Sequence, residues 1–294
     1  MTEMQPGPMP FRFLLDEAVW QARRHFRAIY PAIAIPMTIL ATTVAVAQAV
    51  WFGKLKQDLG SLGTPFLNPG YVGLILVYSV LLAVAYNTLQ VAALDAVAGR
   101  PVDLRRAWRF TLRGRVLGTL VLWYVATFAS IFCCCLPALV VAPLLALVPA
   151  VMADEGRFGF QAVSRSARLT GYFPPGRWWE SPLVKVLLLL MVSVILIYLA
   201  GLLVSLPFQV PLYIGMFRRA AAGEDITQGF SSLVWLQVPA QLLSSLVNTA
   251  IYLYFSCGIA LLFHDTRGRR EGSDLRAEIE AVFPPLLPPG EPGS

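Results

Sequence analysis

Residues 116–153 read VLGTLVLWYVATFASIFCCCLPALVVAPLLALVPAVMA, 38 consecutive positions without an Asp, Glu, Lys or Arg. At 1.5 Å rise per residue, one straight helix of that length would reach about 57 Å, nearly twice the ~30 Å hydrocarbon core of a bilayer. The stretch must therefore turn back on itself. Pro137, near its middle, supplies the break, because proline lacks the N–H that continues a helix and biases its predecessor away from helical backbone. The predicted turn is Cys135-Leu136-Pro137, joining spans three and four as a tight hairpin.

The same ruler works outward. Residues 30–52 and 71–94 are uncharged and each is long enough to cross the core. Residues 186–206 form a fifth span, after which Pro207 and Pro211 break the apolar run. Residues 238–263 form the sixth. The fold class expected is an all-α integral membrane protein with six transmembrane helices in three hairpins. Composition agrees: 57% of the 294 residues are hydrophobic and 14% charged, with mean hydropathy +0.65, against roughly 45–50% and about 25% in soluble domains.

Lys and Arg accumulate on cytoplasmic flanks, and their distribution sets the orientation. With the N-terminus inside, nineteen of the 23 basic residues fall on inner segments, and Lys54, Lys56, Arg218 and Arg219 on outer ones. A single span at 116–153 would carry the basic 154–185 loop outside, so charge and length agree on the hairpin. The chain then divides into a cytoplasmic N-terminal segment (1–29), a six-span domain (30–263) and a cytoplasmic tail (264–294). In the tail, Ser273 is a candidate N-cap for a helix with Leu275, Ile279 and Val282 on one face. From 284 onward it is proline-rich and expected to be disordered. Ala47-Gln48-Ala49 has the form of a signal-peptide cleavage site, but the region before it, with Asp16 and Glu17, is too long for one. The first span is expected to stay. Net charge +6 and pI near 9.3 follow from the flanking arginines, so no nucleic-acid partner is expected.

Each pair of spans is preceded by an arginine-bearing amphipathic segment, at residues 13–29, 103–115 and 158–173. Aligning Ala18, Ala107 and Ala162 brings Ala22, Thr111 and Ser166 to the +4 position and Arg24, Arg113 and Arg168 to +6. Apolar spacing of i, i+4, i+7 or i+8 beside arginines describes a helix lying in the membrane interface. The architecture expected is such a helix plus a transmembrane hairpin, used three times.

Chemistry-bearing residues are sparse. Cys133, Cys134 and Cys135 are adjacent, which does not match zinc-ligand spacing; with Cys257 they read as small packing residues or as an outer-side thiol or disulfide. His25 and His264 sit at membrane edges without a nucleophile. No charged group lies well inside a span, where proton-coupled carriers normally need one. No catalytic residue, cofactor or metal is expected. Asn87 and Gln90 in span two, with Gln237, Gln241, Ser244 or Ser245, Asn248 and Tyr252 in span six, form polar stripes. These read either as interhelical hydrogen bonding or as a polar cavity between spans two and six.

Two inner-side segments carry a resemblance. One is Arg165-Ser166-Ala167-Arg168-Leu169-Thr170-Gly171, after span four. The other is His264-Asp265-Thr266-Arg267-Gly268-Arg269-Arg270-Glu271-Gly272-Ser273-Asp274-Leu275, after span six. The chain resembles uncharacterised bacterial polytopic membrane proteins related to the membrane domain of glycerophosphoryl diester phosphodiesterase. His264 stands where that pattern often has an aromatic, and Pro174-Pro175 interrupts the first motif's continuation. The hydrolase of such enzymes is a soluble barrel of ~250 residues, and no segment here could hold it. The resemblance implies the membrane part without the catalytic domain.

The function expected is a non-enzymatic protein of the bacterial inner membrane, a scaffold or subunit of a cell-envelope complex, with both termini cytoplasmic. Membrane lipids and a protein partner in the membrane or cytosol are the expected contacts, through Arg24, Arg113, Arg165, Arg168, Arg267, Arg269 and Arg270. The alternative is a carrier or lipid-handling protein whose cavity holds Asn87, Gln90, Gln237, Gln241 and Asn248. In that reading, helices broken at Pro143, Pro149, Pro207, Pro211 and Pro239 would line the cavity.

Overall fold

A computed structural model describes residues 9–55, 69–132, 135–171, 178–222 and 234–271. Its described residues are helical, with no strand among them. In chain order the helices are α1 (Phe11–Leu55), α2 (Pro69–Val97), α3 (Leu104–Thr111), α4 (Gly114–Phe132), α5 (Cys135–Leu145), α6 (Val148–Glu155), α7 (Phe160–Thr170), α8 (Pro182–Ala221) and α9 (Gln237–Glu271). Four contain segments long and apolar enough to cross a membrane: Phe11–Val50, Gly73–Val97, Pro182–Gly215 and Gln237–Arg270. That is the helix set of a multi-pass membrane protein. Gly114–Thr127 of α4 is a shorter apolar stretch.

The 38-residue stretch is divided, as its length requires, but not where proline pointed. Helix α4 ends at Phe132 and α5 begins at Cys135, while Cys133 and Cys134 lie outside the described residues. Pro137 sits in the first turn of α5, where its missing N–H would have had no partner anyway. A second interruption follows at Ala146-Leu147, with Pro143 inside α5 and Pro149 opening α6. The segment expected as span four is thus two short helices.

Two further expectations are corrected. The first amphipathic segment is not a separate helix: residues 13–29 continue without a break through Pro31 and Pro36 as part of the 45-residue α1. Likewise α8 runs unbroken through Pro207 and Pro211 for 40 residues. A proline removes one hydrogen bond, and in apolar surroundings the rest of the helix is held by the requirement that every other backbone group stay paired. Helices α1 and α9 therefore also run through the segment boundaries drawn at 29 and 263. The second and third amphipathic segments do form short helices, α3 and α7.

The most extensive helix contact joins α1 to α9, the two ends of the described chain; Tyr30 Oη donates to the Leu246 carbonyl across it at 3.0 Å. The core gathers at one end of the bundle. Leu14, Ile29 and Ile33 of α1, Leu89 of α2, Val116 of α4, Val151 and Met152 of α6, Leu169 of α7, Leu189 of α8 and Ile259, Leu262 and Phe263 of α9 are all buried there. Away from it, Leu76 and Leu81 of α2, Tyr198, Leu203 and Phe217 of α8, and Leu243 and Val247 of α9 are exposed. The molecule has a packed end and an open end.

Candidate functional site

The packed end is closed by an ionic network at the termini of α2, α6 and α9. Helix α2 delivers Asp95, then turns through Gly99, whose φ of 68° favours glycine, to present Arg100. Helix α6 ends on Asp154-Glu155 and is capped by Gly156 in the left-handed conformation. Arg100 reaches Asp154 at 2.6 Å and Asp95 at 3.8 Å. Arg267 of α9 pairs with the other oxygen of Asp154. Glu155 accepts from Arg165 of α7 through both oxygens, at 2.9–3.0 Å, and from Arg157 at 3.1 Å. Within α9, Arg269 and Asp265 close an i,i+4 pair at 2.7 Å.

Burial alone would push the Asp154 carboxyl up. The Arg100 hydrogen bond, with the charges of Arg100 and Arg267, outweighs that and holds it below the usual carboxylate range. Lys185 at the start of α8, within reach of the Asp265 and Glu180 charges, is buried and donates to the Met9 carbonyl at 2.8 Å.

The short helices α3 and α7 dock onto this end through buried hydroxyls. Asp103 caps α3 by accepting from the Arg106 N–H at 3.1 Å. Its buried face carries Ala107 and Thr111, and Thr111 Oγ1 accepts from Asn87 Nδ2 of α2 at 2.9 Å. In α7 the buried face is Ala162, Ser166, Leu169 and Thr170, and Ser166 Oγ donates to the Leu144 carbonyl at 2.6 Å. The Gly159 N–H, at the start of α7, donates to Thr119 Oγ1 of α4 at 2.7 Å. Ala107 and Ala162, and Thr111 and Ser166, were aligned from sequence, and all four are buried; so are Ala18 and Ala22 of α1.

The candidate lipid or partner arginines are placed unequally. Arg24 is exposed, with its guanidinium 5.0 Å from the Trp20 ring, and Arg113 is exposed against Phe110 at 5.7 Å. Arg165, Arg267 and Arg269 hold carboxylates, and Arg270 donates to the backbone carbonyl of the exposed Arg168. Arg113 also joins Arg106, Arg109, Phe110, Asp103 and Ala153 around a concavity of about 400 Å³.

The residues of the two polar stripes have different surroundings. Asn87 holds α3, and Gln90 donates to Tyr86 Oη of its own helix at 2.7 Å. Gln237 and Gln241 line a pocket of about 230 Å³ with Gln48 of α1 and Gln209 of α8. Asn248 is half-buried, with Oδ1 unpartnered among the described residues. A separate apolar cavity of about 340 Å³ lies among α1, α2, α4, α5, α8 and α9, lined by Tyr86, Trp123, Tyr124, Tyr252 and Phe255 among others. Cys257 is buried in the core as a free thiol.

Sequence reasoning missed the acidic members of the network, Asp95, Asp154, Glu155 and Asp265, and with them Arg100. A signal was present. The segments at the ends of α2, α6 and α9 each carry an aspartate followed within a few residues by Gly-Arg: Asp95 with Gly99-Arg100, Asp154 with Gly156-Arg157, and Asp265 with Gly268-Arg269. Among the described residues, no group of three His, Cys, Asp or Glu side chains is placed to hold a metal ion. Compared with known proteins, the chain matches no family model, no curated protein and no solved structure.

Proposed function

We propose that the chain is a non-enzymatic integral protein of the bacterial inner membrane, a scaffold or subunit of a cell-envelope complex that contacts lipid through its short amphipathic helices. In this reading it has six spans: α1, α2, α4, α5 together with α6, α8 and α9. The α4–α5 junction faces outside, and the packed end and both termini face the cytoplasm, the side to which nineteen of the 23 basic residues fall. Helices α3 and α7 lie in the cytoplasmic interface. The resemblance to the membrane domain of glycerophosphoryl diester phosphodiesterases belongs to the same reading, without the hydrolase.

One observation carries it: Arg100 and Arg267 share Asp154, tying α2, α6 and α9 together at one end. A carrier with alternating access must open each end in turn, whereas this end is cross-linked and closed by core side chains. That suits a fixed platform. Purification of the full chain in mild detergent, with an inventory of bound protein and lipid, tests the reading. Recovery of a defined protein partner supports it, and a lone species that moves a solute across vesicles overturns it.

The aromatic-lined apolar cavity favours a second reading, a lipid-handling protein. Ser193, buried on its wall, offers the test. Loss of co-purified lipid in Ser193→Phe supports lipid occupancy, and unchanged lipid content rejects it.

Orientation is checked by cysteine accessibility. With the native cysteines replaced, a membrane-impermeant maleimide should label Leu136→Cys on intact cells and spare Ser273→Cys until the membrane is opened. Labelling of Ser273→Cys on intact cells overturns the six-span topology.

A further inference from the structure

Arg106 and Arg109 of α3, at i and i+3, and Arg113 in the bend just past its end border one concave surface. They surround a space of about 400 Å³ with Phe110, Ala153 and Asp103. Among the described residues none of the three guanidinium groups closes an ion pair, in contrast to Arg100, Arg157, Arg165, Arg267 and Arg269 at the same end of the bundle. The single acidic group on the wall, Asp103, already accepts the Arg106 backbone N–H as the α3 cap. Asp95 lies next to Arg106 in an adjoining small cavity, where the charges of Arg106 and of Arg100, 3.8 Å away, both act on it. Three cationic groups and one carboxylate line the hollow, with Asp95 beside Arg106 just outside it.

The hollow is also held in place. Thr111 is fixed by Asn87, and Ala107 is buried against the bundle, so α3 offers its arginines from a docked helix. Between Arg109 and Arg113, Leu112 is exposed, at the turn that leads into the largely apolar α4. A cationic hollow edged by an apolar side chain matches the boundary between headgroup phosphate and acyl chain. Arginine's planar fork also suits phosphate oxygens.

From this geometry we infer that the α3 concavity is a binding site for the phosphodiester headgroup of an anionic phospholipid of the cytoplasmic leaflet. The inference rests on the proposed orientation, and it adds a site and a ligand class to the lipid contact proposed above. Arg106, Arg109 and Arg113 bind the phosphate oxygens, Phe110 forms the floor, and Leu112 points the complex toward the acyl region.

The test uses the full chain in detergent, titrated with phosphatidylglycerol or phosphatidylcholine and read by native mass spectrometry. The wild type should retain phosphatidylglycerol in preference. Arg106→Gln/Arg109→Gln/Arg113→Gln should abolish the preference, each substitution weakening retention about fivefold. Arg12→Gln/Arg23→Gln/Arg27→Gln on α1 removes the same charge from exposed positions and should leave the preference intact. Equal loss in both triple variants, or retention in the first, overturns the site.

Displacement of phosphatidylglycerol by inorganic phosphate at equal concentration would show a soluble-phosphate site and overturn the lipid assignment. Should the triple variant fail to fold, Arg109→Gln alone carries the test by the same measure. Failure of the topology is read separately. Outside labelling of Ser273→Cys alongside an intact lipid preference would reverse the leaflet and leave the headgroup site standing.

Discussion

Helices α3 and α7 stand at corresponding places in the chain, and a buried hydroxyl at the same alignment position secures each. Thr111 accepts from Asn87, and Ser166 donates to the Leu144 carbonyl. Their arginines nevertheless do different work. Arg165 of α7 is gripped by Glu155 through both oxygens, whereas Arg106, Arg109 and Arg113 line an open hollow. The cause lies one helix upstream. Helix α6 ends on two carboxylates, Asp154 and Glu155, so one can bridge α2 and α9 while the other holds α7. Helix α2 ends on Asp95 alone, which Arg100 approaches at 3.8 Å and which also feels the charge of Arg106. The second carboxylate at the end of α6 is what lets α7 use an arginine for folding, while α3 keeps Arg109 on an open hollow.

The sharpest way to break this comparison is Glu155→Ala. The Glu155 side chain is 6% exposed and that of Arg165 14%, so the substitution takes a two-oxygen carboxylate partner from a largely desolvated guanidinium. It should destabilise the protein by about 3 kcal/mol, the lower end for breaking a buried pair. Thermal unfolding in detergent measures the loss. Accessibility of a cysteine at Ser166 shows whether α7 has come away. A variant as stable as the wild type would mean that Glu155 does not hold α7.

Next in size is Asp154→Asn, expected to destabilise by roughly 1–2 kcal/mol, discounted because the Arg100 and Arg267 side chains are 43% and 36% exposed. This site also predicts a pH dependence with a definite sign. The folded Asp154 pKa lies below its ordinary value of 3.8. Its contribution is therefore complete above that value and is lost as pH falls below about 4 through the folded pKa. The stability gap between wild type and Asp154→Asn should be flat from pH 5 to 8 and close only in more acidic buffer. A gap that closes between pH 6 and 8 would assign the effect to another group.

How much of this could be read from the sequence follows the same division between local and long-range physics. The 38-residue stretch had to be interrupted because a length limit acts on any single helix. The registers of α3 and α7 were visible in Ala107 with Thr111 and in Ala162 with Ser166, because a helix face repeats with a fixed period. Prolines misled in two places. At Pro207 and Pro211 the helix continues, since apolar surroundings leave the flanking backbone no other partner; Pro137 lies inside a helix start instead of at the turn. The ion network was unreadable for a different reason. Asp154 meets Arg100 and Arg267 from 54 and 113 positions away, and only three-dimensional closure reveals which arginines find a carboxylate. The neighbours of the Gln and Asn stripes were hidden for the same reason: Gln241 shares a pocket with Gln48 and Gln209 of α1 and α8, helices that a stripe on α9 does not name.

A smaller effect tests the shared hydroxyl anchor. Thr111→Val keeps the side-chain shape but removes the acceptor, leaving the buried Asn87 amide donor unmet; Asn87 Oδ1 is already unpartnered. The expected loss is about 1–1.5 kcal/mol. Ser166→Ala should lose a similar amount through the Leu144 carbonyl. Because the two anchors sit on different helices, their effects should add. A double variant that falls well short of the sum would show that α3 and α7 are coupled, and the two helices could then no longer be treated as independent copies of one device.

The smallest expected effect is the one on which the comparison finally depends. Arg109→Ala removes an exposed guanidinium that closes no ion pair among the described residues, so unfolding should shift by no more than about 0.5 kcal/mol. Arg165→Ala removes the same chemical group from the equivalent amphipathic helix. It should destabilise several times more, because Glu155 would lose its two-oxygen partner while 6% exposed. The pair of variants separates charge that folds the protein from charge that the protein displays. If Arg109→Ala proved as damaging as Arg165→Ala, the α3 hollow would be a structural contact, and the difference between the two helices would vanish. If it were neutral or slightly stabilising, relief of repulsion among Arg106, Arg109 and Arg113 would be the reason, and the hollow would hold positive charge at a small standing cost in stability, as a site for an anion must.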